Sequence, residues 1–126
     1  MGIKKYKYVS VDVLIGAETV LTGELISKSA VKIDGAVHGN ITTTQEVIVS
    51  ESGTVEGNIT AAGLIVSGKI IGDAKITEQL LIKETGHLEG NIEAGSLVIE
   101  AGGEFYGMNR SVKHTAESSS TEAETE

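Results

Sequence analysis

The stretch Gly53-Thr54-Val55-Glu56-Gly57-Asn58-Ile59 decides how this chain folds, because it recurs. Its pattern is Gly-x-φ-x-Gly-x-φ, with φ apolar. It returns as Gly35-Ala36-Val37-His38-Gly39-Asn40-Ile41, as Gly68-Lys69-Ile70-Ile71-Gly72-Asp73-Ala74 and as Gly86-His87-Leu88-Glu89-Gly90-Asn91-Ile92. A degenerate first copy is Thr19-Val20-Leu21-Thr22-Gly23-Glu24-Leu25, and a degenerate last copy is Gly103-Glu104-Phe105-Tyr106-Gly107-Met108-Asn109. The second glycines fall at 23, 39, 57, 72, 90 and 107, so the spacings are 16, 18, 15, 18 and 17. Self-similarity at a short, nearly fixed period marks a repeat architecture.

A second signal runs in phase with the first. Apolar pairs two residues apart lie between the glycine motifs: Val13/Ile15, Val31/Ile33, Val47/Val49, Leu64/Val66, Leu80/Ile82 and Leu97/Ile99. Spacing two puts both side chains on one face of a strand. From the second residue of each pair to the next φ there are 4 residues after Ile33 and Val66, and 6 after Ile15, Val49, Ile82 and Ile99. A difference of two preserves facing, whereas a slip of one would turn every later side chain to the other side. Turns such as Ser50-Glu51-Ser52-Gly53 and Lys83-Glu84-Thr85-Gly86 therefore read as corners of variable length.

A unit of about 17 residues with roughly three short strands cannot bury its own apolar face, but stacking the next unit on it can. The sequence thus predicts an all-β, right-handed, three-sided parallel β-helix of about six windings, right-handed by the usual crossover preference. The composition agrees. There are 16 Gly, no Pro, no Trp, one Phe and three Tyr among 126 residues. Proline would remove ladder donors, and Val, Ile and Leu suit a pleated surface.

The domain expectation is a flexible N-terminal tail over 1–12, the β-helix over 13–109 and a disordered acidic C-terminal tail over 110–126. The last segment is rich in Ser, Thr, Glu and Ala and cannot offset its ordering entropy. Ile3, Lys4, Lys5, Tyr6 and Lys7 combine apolar and basic character and are candidates for contact with a membrane surface.

A net charge of −8 argues against sequence-independent nucleic-acid binding. No Cys is present, so disulfides and thiolate metal sites are excluded. No apolar run reaches the length of a spanning helix, and the N-terminus lacks a signal-peptide core, which reads as cytoplasmic.

No catalytic residue, cofactor or metal is expected. Gly63-Leu64-Ile65-Val66-Ser67-Gly68-Lys69 imitates a phosphate-binding loop, but Ile70 replaces the required hydroxyl and the segment reads as strand. His38 and His87 occupy positions expected to face solvent, with no partner at metal or triad spacing, and His114 lies in the tail. The alternative is a hexapeptide-repeat-like acyltransferase with a left-handed β-helix, suggested by Ile59, Ile65 and Ile71 at spacing six. Against it stand windings of varying length, the absence of a protruding loop, and no histidine between windings.

The ends of such a coil carry the functional expectation. They expose unpaired strand edges, the template for another chain, and no helix-forming cap is encoded at either end. The front offers Val9, Val11 and Val13, and the back offers Phe105, Tyr106 and Met108. Phe105, the single Phe, reads as an interface anchor or as a plug of the core end. On the first reading, Phe105→Arg would abolish or shorten filaments and leave the fold intact.

The copies at 53–59, 68–74 and 86–92, the Pro-free core and the tails on both sides resemble the bactofilin family of bacterial polymer-forming cytoskeletal proteins, over about residues 13 to 109. The resemblance implies a right-handed three-sided β-helix and nucleotide-independent filaments of the chain with itself. It also implies roles in cell shape, cell-wall organisation, polar localisation or motility, often at the membrane. An aromatic residue in the last winding that makes end-to-end contact would correspond to Phe105.

Overall fold

A computed structural model describes residues 11–111 of the chain. The repeats become windings of short strands. The first winding carries β1 (Val11–Ile15), β2 (Val20–Thr22) and β3 (Leu25–Ser27), and the second carries β4 (Ala30–Ile33), β5 (Ala36–His38) and β6 (Ile41–Thr43). The third holds β7 (Glu46–Val49), β8 (Thr54–Glu56) and β9 (Ile59–Ala61). In the fourth, β10 (Gly63–Val66) and β11 (Lys69–Ile71) lead into β12 (Ala74–Ile82), which continues into the fifth. The fifth adds β13 (His87–Glu89) and enters β14 (Ile92–Ile99), and β15 (Glu104–Tyr106) completes the sixth.

All pairing between these strands is parallel, and each strand bonds to its counterparts in the neighbouring windings. One sheet has nine strands, in the order β1-β4-β7-β10-β12-β9-β6-β3, with β14 paired to β12. The other has six, in the order β15-β13-β11-β8-β5-β2. Nine strands form one sheet because β12 and β14 each run through a corner, so two runs of pairing join there. The protein is an all-β parallel solenoid of about six turns.

The register follows the repeat residue by residue. Ile15, Ile33, Val49, Val66, Ile82 and Ile99 stack in one column, and Val13, Val31, Val47, Leu64, Leu80 and Leu97 in the next. The φ residues Leu21, Val37, Val55, Ile70, Leu88 and Phe105 form another column. Leu25, Ile41, Ile59, Ala74 and Ile92 form a fourth. Most of these side chains in the middle windings are fully buried in one continuous core. Burying a Val, Leu or Ile side chain contributes about 1.5–3 kcal/mol, so the stack of columns is the main source of stability.

The two corner lengths have distinct structures. The six-residue gaps contain four-residue turns, closed by the amides of Thr19, Gly53, Gly86 and Gly103 donating to the carbonyls of Gly16, Ser50, Lys83 and Glu100 at 2.8–3.0 Å. The four-residue gaps bend directly, with the Asp34 and Ser67 amides donating to Ile15 and Val49 of the winding before. Both routes deliver the next φ residue to the same column.

The second glycine of each motif is required twice over. Gly39, Gly57, Gly72, Gly90 and Gly107 have φ of 147–154°. A Cβ on any of them would come within 1.8–2.0 Å of the carbonyl oxygen of the preceding glycine in the column. Only glycine permits both the backbone angle and the approach.

The hexapeptide alternative does not survive this register. Ile59 is buried, Ile65 lies on the outer side of β10 and Ile71 is 39 % exposed, so residues six apart do not share an inward column. The phosphate-loop imitation resolves likewise. Gly63–Val66 is strand, and a Cβ at Gly68 would sit 2.3 Å from the carbonyl oxygens of Gly53 and Ser50.

Candidate self-assembly interface

In the interior of the coil every strand has a neighbour on each side. At the ends this fails. Among the described residues β1, β2 and β3 pair only with the second winding, and β15 pairs only with β13. Each end therefore presents strand edges whose amides and carbonyls face outward along the coil.

The front end is apolar. Leu14, Val20 and Ile26 are 59 %, 64 % and 71 % exposed, one on each strand of the first winding. Val13, Leu21 and Leu25 are only partly covered, since among the described residues no winding lies in front of them. The sequence singled out Val9, Val11 and Val13 as a clean alternation. Val9 lies outside the described residues. The other two are not in simple alternation: Val11 pairs with Ala30 and Val13 with Val31, so Asp12 is a bulge. Val13 packs against the core while Val11 is exposed. Leu14, Val20 and Ile26 were not singled out, although Val20 and Ile26 are apolar at positions that are polar or charged in most later copies.

At the back end the three named residues have different placements. Phe105 stacks on Leu88 and is only 8 % exposed, so its ring lies inside and closes the core. Tyr106 and Met108 are 55 % and 48 % exposed. Phe105→Arg would thus strike core and end together, and cannot separate the two roles. The chain then continues the coil for a few residues more: Asn109 forms a parallel bridge to Ile92, the Arg110 amide donates to the Ile92 carbonyl at 2.6 Å, and the Ala94 amide donates to Ser111 Oγ at 2.8 Å.

A ladder of side-chain amides and carboxylates follows the glycine column. Asn40 Oδ1 accepts from the Asn58 amide, Asn58 Oδ1 from Asp73, Asp73 Oδ1 from Asn91 and Asn91 Oδ1 from Met108, at 2.9–3.3 Å. It stops at Met108, which has no oxygen to offer a further winding. At the front, Thr19 replaces the motif's first glycine, and a Cβ at Gly23 would meet nothing within 4 Å.

His87 corrects an expectation. It is not a free surface histidine: Nε2 lies 2.8 Å from Glu89 Oε2 and Nδ1 lies 2.8 Å from Glu104 Oε1. Its ring lies 5.3 Å from that of Tyr106. Partial burial alone would lower its pKa, but the hydrogen bonds and charges of Glu89 and Glu104 outweigh this and hold it above the usual histidine value. The spacing of Glu104 from His87 along the chain hid the pair, which forms only because consecutive windings stack. These groups are not arranged to hold a metal ion, and among the described residues no cluster is. His38 lies 3.6 Å from Glu56. No described helix could cross a membrane. Ile3, Lys4, Lys5, Tyr6 and Lys7 lie outside the described residues.

Among the described residues the coil of stacked windings presents unpaired strand edges at both ends. A profile of the bactofilin family, described as polymer-forming cytoskeletal, matches residues 13–110. The chain belongs to the bactofilin family. No curated protein and no solved structure matches it. Membership places this solenoid in a structural, filament-forming cytoskeletal family, and directs attention to the surfaces through which one bactofilin subunit meets another.

Proposed function

We propose that this bactofilin self-assembles end to end, without nucleotide, into cytoplasmic filaments that scaffold cell-shape, cell-wall or motility machinery. In this reading the coil is right-handed and three-sided, and the segment containing Ile3, Lys4, Lys5, Tyr6 and Lys7 touches a membrane surface. The observation that carries the proposal is the pair of ends whose described strands lack an outer partner, with exposed Leu14, Val20 and Ile26 at one and Tyr106 and Met108 at the other.

Two features favour front-to-front and back-to-back contact over seamless head-to-tail stacking. In head-to-tail continuation Thr19 would take the place that Gly35 takes inside the coil, where a Cβ would lie 2.1 and 2.4 Å from backbone carbonyl oxygens. Met108 would also leave the next amide of the Asx ladder without its acceptor. The defining experiment is negative-stain electron microscopy and sedimentation of the purified protein without ATP or GTP and with EDTA. Long filaments are expected; a discrete trimer, or assembly that depends on nucleotide, would refute the reading.

A further inference from the structure

The outer side of the long sheet differs from the rest of the surface. In β1, β4, β7, β10, the second half of β12 and β14, the residue between the two inward ones points outward. These residues are Leu14, Lys32, Ile48, Ile65, Leu81 and Val98, stacked in register. Five of the six are apolar. The matching outward column of the six-stranded sheet is mostly polar after its first two members, with Thr54, Lys69, His87 and Glu104. That of the third run of pairing continues from Ile26 as Thr42, Thr60, Lys75 and Glu93. A solvated sheet face ordinarily alternates to polar residues. Here the core gains nothing from the outward side chains, so their apolar character needs another partner.

We propose that this column is a lateral contact on which two copies of the chain pack side by side in antiparallel orientation. Its size fits a contact that is weak in one subunit and strong in many. Six strands spaced about 4.8 Å apart, one side-chain column wide, give on the order of 250 Å² per copy, well below the ~800 Å² of a stable dimer. Repeated along two filaments, the same contact adds up. A second copy supplies a column of identical spacing.

Charge selects the orientation. Parallel packing in register would set Lys32 against Lys32. Antiparallel packing, centred between the third and fourth windings, sets Lys32 against Leu81, Ile48 against Ile65 and Leu14 against Val98. In the next outward column it brings Asp34 opposite Lys83. Like charges are separated, and by symmetry the Asp34–Lys83 pair forms twice, beside the Lys32–Asp34 pair at 3.6 Å within each chain. The geometry stands without end-to-end assembly; only the strength of the contact rests on it.

The test uses the absence of native cysteine. Full-length Lys32→Cys chains are mixed with size-tagged Leu81→Cys chains at high concentration and mildly oxidised. The mixed disulfide should exceed that of Thr60→Cys chains on the other face by about tenfold, a difference of about 1.4 kcal/mol. Lys32→Cys chains linking to themselves, or a mixed yield no greater than the Thr60→Cys control, would overturn the proposal. This readout needs no filaments, so it separates failure of the side contact from failure of the end contact. In microscopy Ile65→Lys should convert paired filaments to single ones of unchanged length and unchanged melting temperature; persistent pairing would count against the column. Binding to anionic phospholipid vesicles that Ile65→Lys abolishes, with no mixed disulfide, would assign the column to a membrane and refute self-association.

Discussion

Gly57 lies against the carbonyl of Gly39 so closely that a Cβ on it would stand 2.0 Å from that oxygen. The same contact repeats along the column, and each amide of the series is also engaged: Gly39 donates to Glu56, Gly57 to Ile71 and Gly72 to Glu89. The glycine column is therefore where windings come closest, and it fixes their spacing.

Gly57→Ala should destabilise the protein by at least about 3 kcal/mol, because the overlap is with backbone that cannot swing aside. Gly23→Ala should cost only about 1–2 kcal/mol, for its backbone angle alone, since nothing lies within 4 Å of its Cβ position. Chemical denaturation of the two variants checks the contrast; equal losses would show that steric contact between windings is not what the column encodes.

The Asx ladder makes a smaller, separable contribution. Asn58→Ala removes the acceptor for the Asp73 amide. At an exposed site the loss should be about 0.5–1.5 kcal/mol. Hydrogen exchange should speed up at the Asp73 amide while the neighbouring Ile70 amide stays protected. Unchanged exchange at Asp73 would remove the ladder from the account.

His87 joins the fifth and sixth windings through Glu104. Its raised pKa means that the folded state holds the proton more tightly than the unfolded one. The stabilisation is fully present below the ordinary histidine pKa of about 6.5 and is lost as pH rises through the higher folded value. Melting temperature should therefore fall between mildly acidic and mildly alkaline pH, and His87→Gln should flatten that slope. A slope that His87→Gln leaves intact would assign the dependence to other groups.

At the back end, burial separates two kinds of variant. Phe105→Arg places a charge in the core and should lower stability as well as assembly. Met108→Lys alters an exposed side chain, so it should shorten filaments in sedimentation and microscopy with the melting temperature nearly unchanged. Filaments of normal length in Met108→Lys would move the contact away from this residue.

Much of this molecule is written in its period. The glycine spacing, the pairs such as Val47/Val49 and Leu64/Val66, and the two-residue difference between corners determined the all-β solenoid, its number of windings and the register of every inward column. They could do so because strand facing has period two and each winding repeats the environment of the last. The apolar triplets were legible too, but their middle residues have no inward signal, so the outer column of Ile48, Ile65 and Leu81 gained meaning only once strands far apart in sequence stood in line. Tertiary structure alone decided that Asp12 is a bulge and that His87 meets Glu104. Those outcomes depend on which side chains share a winding boundary, a relation set by stacking rather than by local sequence.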